Sequence, residues 1–160
     1  MSSYSKPIII LMADDDVDDC RLTREALEEG RLANELKFVH DGEQLLDYLK
    51  RRGKYAGATD ETAPRPGIVL LDLNMPRMDG RTALKEIKAD PDIRQIPVVV
   101  LTTSKSDEDV YKSYDLGVNS YIVKPVTFEA LVDILQTLEK YWFEVVELPP
   151  DKLPSLRPPL

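Results

Sequence analysis

The chain is poor in the residues that disulfide, metal-thiolate or histidine chemistry would need. Its 160 residues include one cysteine, Cys20, so no internal disulfide can form and a reducing cytoplasm is the expected compartment. Cys20 reads as inert packing. There is one histidine, His40, which leaves no histidine cluster for zinc. A lone histidine at a strand end reads as structural. Positive charge is also scarce: 21 Lys and Arg stand against 29 Asp and Glu, for a net charge of −8 and a pI near 4.7. Direct nucleic-acid binding and anionic membranes are disfavoured, because both need a basic surface. No apolar run approaches the length of a membrane span. Met1 to Lys6 carries no apolar signal region.

Apolar segments are short and regularly placed. Ile8–Met12, Ile68–Leu71 and Pro97–Leu101 are continuous apolar runs, as expected of strands buried on both faces. Two further strands are expected around Leu36, Phe38 and Val39, and at Tyr121–Val123. Helical spacing falls between them. The first helix runs over Val17–Glu29, with Gly30 as its stop. The second follows Asp41 as cap. The third carries Ala83, Leu84 and Ile87. The fourth ends at Gly117, and the last is capped by Thr127 and runs from Phe128 to Val145. Residues 53–67 form an expected loop, rich in Gly and Pro. Strands alternating with helices imply an α/β fold of three layers, α/β/α, with five parallel strands. The expected organisation is a lead over residues 1–6, one domain over 7–147, and a Pro-rich tail over 148–160 with no output domain.

Open parallel sheets bind ligands at the carboxyl ends of their strands. Here Asp14 and Asp15 follow the first apolar run, Asp72 the third strand, Thr102 the fourth and Lys124 the fifth. If the first and third strands are neighbours, three carboxylates converge. Their repulsion calls for a cation, and an all-oxygen set favours Mg²⁺. A carboxylate beside such an ion can attack phosphorus, with an ammonium and a hydroxyl to stabilise the phosphoryl oxygens.

These residues fall into motifs. Asp14-Asp15, Leu71-Asp72-Leu73-Asn74-Met75-Pro76 with Asp79-Gly80, Leu101-Thr102-Thr103, and Tyr121-Ile122-Val123-Lys124-Pro125 resemble the receiver domain of two-component response regulators, CheY-like and flavodoxin-like in fold. The resemblance runs from about Ile8 to Val145. It implies strand order 2-1-3-4-5, with Asp72 as phosphoacceptor and Asp15, Asp72 and the Asn74 backbone carbonyl as Mg²⁺ ligands. Asp14 would act through water. Thr102 and Lys124 would contact the phosphoryl group, and the Lys124–Pro125 bond would be cis. Thr102 and Tyr121 would form the switch, although Tyr121 also suits a plain core aromatic. Thr103 departs from the small residue usual there. The long 53–67 loop, the Ile96–Ser104 segment and Tyr141-Trp142-Phe143 further resemble the single-domain regulators paired with cyanobacterial and bacterial phytochromes.

The implied partner is a sensor histidine kinase, such as a bacteriophytochrome, or a phosphotransfer protein. The implied function is a phosphorelay without independent substrate turnover. Two other classes remain beside it: a Mg²⁺-dependent phosphatase with an Asp nucleophile, and a receiver-like binding module that is never phosphorylated. The absence of Gly-x-Gly-x-x-Gly after the first strand speaks against dinucleotide binding. Asp18 and Asp19 read as a solvated helix start, where acids suit the dipole. On the last helix, Phe128, Leu131, Leu135, Leu138 and Trp142 make one stripe, and Ile134, Tyr141 and Val145 a second. The second stripe is either a wide core face or a homodimer surface, and a homodimer is favoured.

Overall fold

In the computed structural model, residues 8–29, 35–145 and 148–150 are described. The chain runs β1 (Ile9–Ala13), α1 (Val17–Glu29), β2 (Glu35–Val39), α2 (Gly42–Lys50), β3 (Ile68–Leu71), α3 (Gly80–Ala89), β4 (Val98–Thr102), α4 (Asp107–Leu116), β5 (Ser120–Val123) and α5 (Phe128–Glu139). The five strands form one sheet in the order β2-β1-β3-β4-β5, and every neighbouring pair is parallel. The expected fold class and strand order are both present.

The central strands carry apolar residues without alternation because helices cover both faces. All four residues of β3 and all five of β4 are buried. The pleat divides them between two cores. Leu11, Val69, Leu71 and Val100 point to one layer, packed with Leu45, Leu46, Leu84 and Ile87 of α2 and α3. Ile10, Met12, Leu70 and Val99 point to the other, packed with Ala26 and Leu27 of α1 and Leu135 of α5. Phe128, Leu131, Leu138 and Trp142 also join this second core, so the first apolar stripe of the last helix is a packing face.

Helix starts follow the expected chemistry. Asp41 accepts from the Gln44 N–H and Thr127 from the Ala130 N–H, each closing an orphan donor. Gly117 ends α4 at φ 106, a conformation that costs a side-chain-bearing residue dearly. Two local differences appear. The segment 53–67 opens with a 3₁₀ turn, Gly53–Tyr55. The last helix is α-helical only to Glu139 and continues as a π-helix over Lys140–Val145, rather than as one α-helix to Val145. Gly30, the lead over 1–6 and the tail beyond residue 150 lie outside the described residues, as does the Val145 side chain. No helix among the described residues is long and apolar enough to cross a membrane.

Candidate functional site

The sheet brings the expected residues to one end. Asp14 leaves β1 with its N–H donating to Val39 O, and Asp72 leaves β3 with its N–H donating to Ala13 O. The strands therefore deliver both carboxylates from adjacent positions. Carboxylate oxygens of Asp14, Asp15 and Asp72 all lie within 4.8 Å of one another. Asp14 and Asp72 are buried and Asp15 is exposed, so the cluster is open on one side.

Asp72 is held by three donors. The buried Thr102 hydroxyl donates to Oδ1 at 2.8 Å, and the Asn74 N–H donates to the same oxygen at 3.1 Å. The Lys124 ammonium reaches Oδ2 at 3.1 Å. Lys124 also donates to Asp14 Oδ2 at 2.7 Å and Asp19 Oδ2 at 2.6 Å. Burial alone pulls the Lys124 pKa down; hydrogen bonds to Asp14 and Asp19, with the charges of Asp14 and Asp72, outweigh it and hold the ammonium protonated. Burial pushes Asp14 up to about 6 against the lowering effect of Lys124. One ammonium thus meets three carboxylates, Asp15 adds a fourth to the cluster, and the excess negative charge suits a divalent cation. All candidate ligands are oxygens, which fits Mg²⁺ or Mn²⁺ better than zinc.

The Lys124–Pro125 bond is trans, because the described residues contain no cis peptide bond. The cis expectation is therefore corrected. Trans is the preferred isomer of X–Pro by about 0.5–1 kcal/mol, and the trans chain already delivers the ammonium to three carboxylates. Asp19 is a second correction. It was expected to be solvated, yet it contacts the site's lysine. Its contact with Lys124 spans 105 residues, which no local pattern in the sequence marks.

A second network borders the site and had no signal in the sequence. Arg81 on α3 donates to both oxygens of Asp109 on α4, at 2.7 and 2.6 Å. It also reaches Leu73 O and Asn74 Oδ1, beside Asp72. Its hydrogen bond holds Asp109 down to about 2. Ser104 Oγ donates to Asp109 at 2.6 Å, and the Tyr121 hydroxyl donates to Ser104 O at 2.9 Å. Tyr121 is part-buried against the first core, and its hydroxyl anchors the β4–α4 turn. The loop from Asp72 to α3 is tight. A Cβ at Gly80 would collide with Asp72 O and Leu73 Cα, which explains glycine after Asp79.

The other singled-out residues have structural roles. Cys20 is buried, donates to Asp14 O, and burial pushes its thiol up to about 12. His40 Nδ1 lies 3.1 Å from Asp14 O and bridges two strand ends. Thr103, directly after the end of β4, is exposed.

Residues 10–136 match the response regulator receiver domain, and the chain belongs to that family. Response regulator Rcp1 of Synechocystis is 43% identical over 150 residues, which cover 93% of this chain and 99% of that protein. Among solved structures, the phosphorylated cyanobacterial phytochrome response regulator RcpA superposes with a TM-score of 0.82 at 41% identity, over 91% of this chain and all of that one. RPA3017, a response regulator in red-light signalling of R. palustris, gives 0.83 at 36% identity, over 91% and 99% of the two chains. A Mn²⁺-bound form of Rcp1 has also been solved, at 42% identity over 90% of this chain and 100% of that one, with a TM-score of 0.79. The protein is a receiver-type response regulator related to phytochrome regulators. Receivers of this family bind a divalent metal and are partnered by histidine kinases.

Proposed function

We propose that Asp72 is the phosphoacceptor of a phosphorelay. An Asp72 carboxylate oxygen attacks the phosphorus of a phosphohistidine on a sensor histidine kinase. The new P–O bond replaces the P–N bond, and the imidazole leaves. The product is a mixed anhydride, which water later hydrolyses. The observation that carries this reading is the pair of contacts on Asp72: Thr102 at 2.8 Å on one oxygen and Lys124 at 3.1 Å on the other. A hydroxyl and an ammonium beside the nucleophile are the groups a transferred phosphoryl needs.

Asp15, Asp72 and the Asn74 backbone carbonyl would hold Mg²⁺, with Asp14 contributing through water. The ion would neutralise charge on the phosphoryl oxygens. Thr102 follows the phosphoryl group, and Tyr121 re-packs with it, which moves the β4–α4 turn that its hydroxyl anchors. The partner is a sensor histidine kinase of the phytochrome class or its phosphotransfer protein, in the cytoplasm. Val17 and Val126, 71% and 102% exposed and flanking the acidic turn and Pro125, give that partner an apolar rim. The domain assists its own phosphorylation and hydrolysis but turns over no other substrate. Signalling proceeds by contact, including a homodimer through the C-terminal helix, where Tyr141 is exposed. The domain spans residues 7–147, with 1–6 as lead and 148–160 as tail.

The test is intact mass after incubation with Mg²⁺ and acetyl phosphate. One phosphate should be gained by the wild type and none by Asp72→Asn or in chelator. No gain by the wild type, together with no binding of beryllofluoride, would leave a binding module instead.

A further inference from the structure

Asp19 stands outside the carboxylate cluster that fits a cation, yet it makes the shortest contact to the site's ammonium. Lys124 Nζ lies 2.6 Å from Asp19, 2.7 Å from Asp14 and 3.1 Å from Asp72. An ammonium has three N–H donors, and these three carboxylates take all of them. Asp19 lies in the first turn of α1, and its side chain is 32% exposed. An acid there also suits the helix dipole. Asp18 shares that position, however; it is 80% exposed and pairs with Arg21, not with the site.

Lys124 has two competing tasks. Before transfer it neutralises Asp14 and Asp72, and so competes with any cation for their charge. During transfer it must leave a carboxylate for a phosphoryl oxygen. A third carboxylate, to one side of the cluster, relieves both conflicts.

We propose that Asp19 is a positioning residue that holds Lys124 toward α1, leaving the charge of Asp14, Asp15 and Asp72 to the divalent cation. The inference rests on the receiver reading for the identity of that cation site. Asp19 itself touches neither the cation nor the phosphoryl group. Without it, the ammonium settles fully on Asp14 and Asp72, and the cation must displace it with no alternative partner nearby.

The experiment is calorimetric titration of the full chain with Mg²⁺ and no phosphodonor, for wild type, Asp19→Asn, Asp19→Glu and Asp18→Asn. Asp19→Asn should raise the Mg²⁺ dissociation constant roughly three- to ten-fold, the size expected for removing one charge near a divalent ion in a wet site. Asp19→Glu should stay near wild type, and Asp18→Asn should change by less than about two-fold. With acetyl phosphate added, the half-saturating Mg²⁺ should rise by the same factor in Asp19→Asn while the rate at saturating Mg²⁺ does not fall. A merely structural role would lower that saturating rate instead. Asp19→Ser carries the same test if the Asn variant melts early. An unchanged dissociation constant in both, or an equal change in Asp18→Asn, would overturn the inference. A wild type that binds Mg²⁺ but gains no phosphate would sink the receiver reading and leave the Asp19 result readable.

Discussion

The two ends of the sheet carry the same residue types and use them differently. At the carboxyl ends, Asp14 and Asp72 are buried and share one lysine whose side chain is 13% exposed. At the amino ends, a cleft of about 490 Å³ is lined by Lys50, Arg51, Arg65, Asp60, Asp90 and Asp92. There two charge pairs form, Arg51 with Asp60 at 2.6 Å and Lys50 with Asp90 at 3.5 Å, and Arg65 donates to the backbone carbonyl of Asp92. One end keeps an unbalanced negative charge away from water, and the other balances its charges in contact with it. Short distances are common to both. Burial and charge imbalance separate a reactive site from a solvated surface.

Removing the single cation from the buried end should break this contrast most severely. Lys124→Met removes the ammonium paired with Asp14 and Asp72. A loss of about 3 kcal/mol in unfolding free energy is expected in chelator, since breaking a buried pair strands its charge. Millimolar Mg²⁺ should restore part of it, because the ion would occupy the same field. Urea titrations with and without Mg²⁺ measure both, and a loss that Mg²⁺ leaves untouched would argue against a shared field.

The Arg81–Asp109 pair lies between the extremes: Asp109 is 13% exposed and Arg81 41%. Arg81 holds the Asp109 carboxyl at about 2, below its ordinary value near 3.8. A depressed carboxyl stabilises the fold above the unfolded pKa, and that stability is lost as pH falls through the folded one. The pair should therefore contribute roughly 1–2 kcal/mol above pH ~4, after allowing for the wet side of Arg81, and lose it between pH ~4 and ~2. The stability gap between wild type and Asp109→Asn, followed by denaturant from pH 7 to pH 3, should shrink on the acid side. A gap that widens there would reverse the sign.

Most of the fold was legible because each layer repeated one pattern. Ile68–Leu71 had no polar residue to alternate with, so only a strand covered on both faces could use it. Asp72, Thr102 and Lys124 were legible for a related reason: an apolar strand ending in a polar residue places that residue at the sheet's edge. What was not legible depends on partners far apart in sequence. Arg81 and Asp109 are 28 residues apart, and no periodicity links them. Asp19 looked like a helix-start acid because its contact with Lys124 spans 105 residues. The family resemblance implied a cis Lys124–Pro125 bond, but the isomer of an X–Pro bond is settled by tertiary context. The π-helical turn over Lys140–Val145 likewise has no marker in composition.

Tyr121 tests the coupling between the buried site and the turn above it. Its hydroxyl makes one hydrogen bond, to Ser104 O, on a ring that packs against the core. Tyr121→Phe keeps the ring and should cost about 1 kcal/mol. Its larger effect should fall on the response. With the hydroxyl gone, the β4–α4 turn keeps its ties to Asp109 through Ser104 and Ser106 but loses its tie to β5, so hydrogen exchange in residues 103–106 should be faster before phosphorylation and change less on it. An unchanged exchange difference would place the coupling elsewhere.

The smallest effect belongs to the solvated end. Arg51 and Asp60 sit 2.6 Å apart, closer than Lys124 is to Asp72, so distance alone would rank this pair above the site. Asp60 is 94% exposed, however, and water already solvates its carboxylate. Arg51 keeps a second acceptor at Ala63 O, which also limits what is lost. Asp60→Asn should therefore change unfolding free energy by less than about 0.5 kcal/mol, and less still in 0.5 M salt, where exposed pairs are screened. Parallel urea titrations at low and high salt would measure it. A loss as large as that of Lys124→Met would mean that contact distance, and not burial with unbalanced charge, sets the energetics at both ends of the sheet.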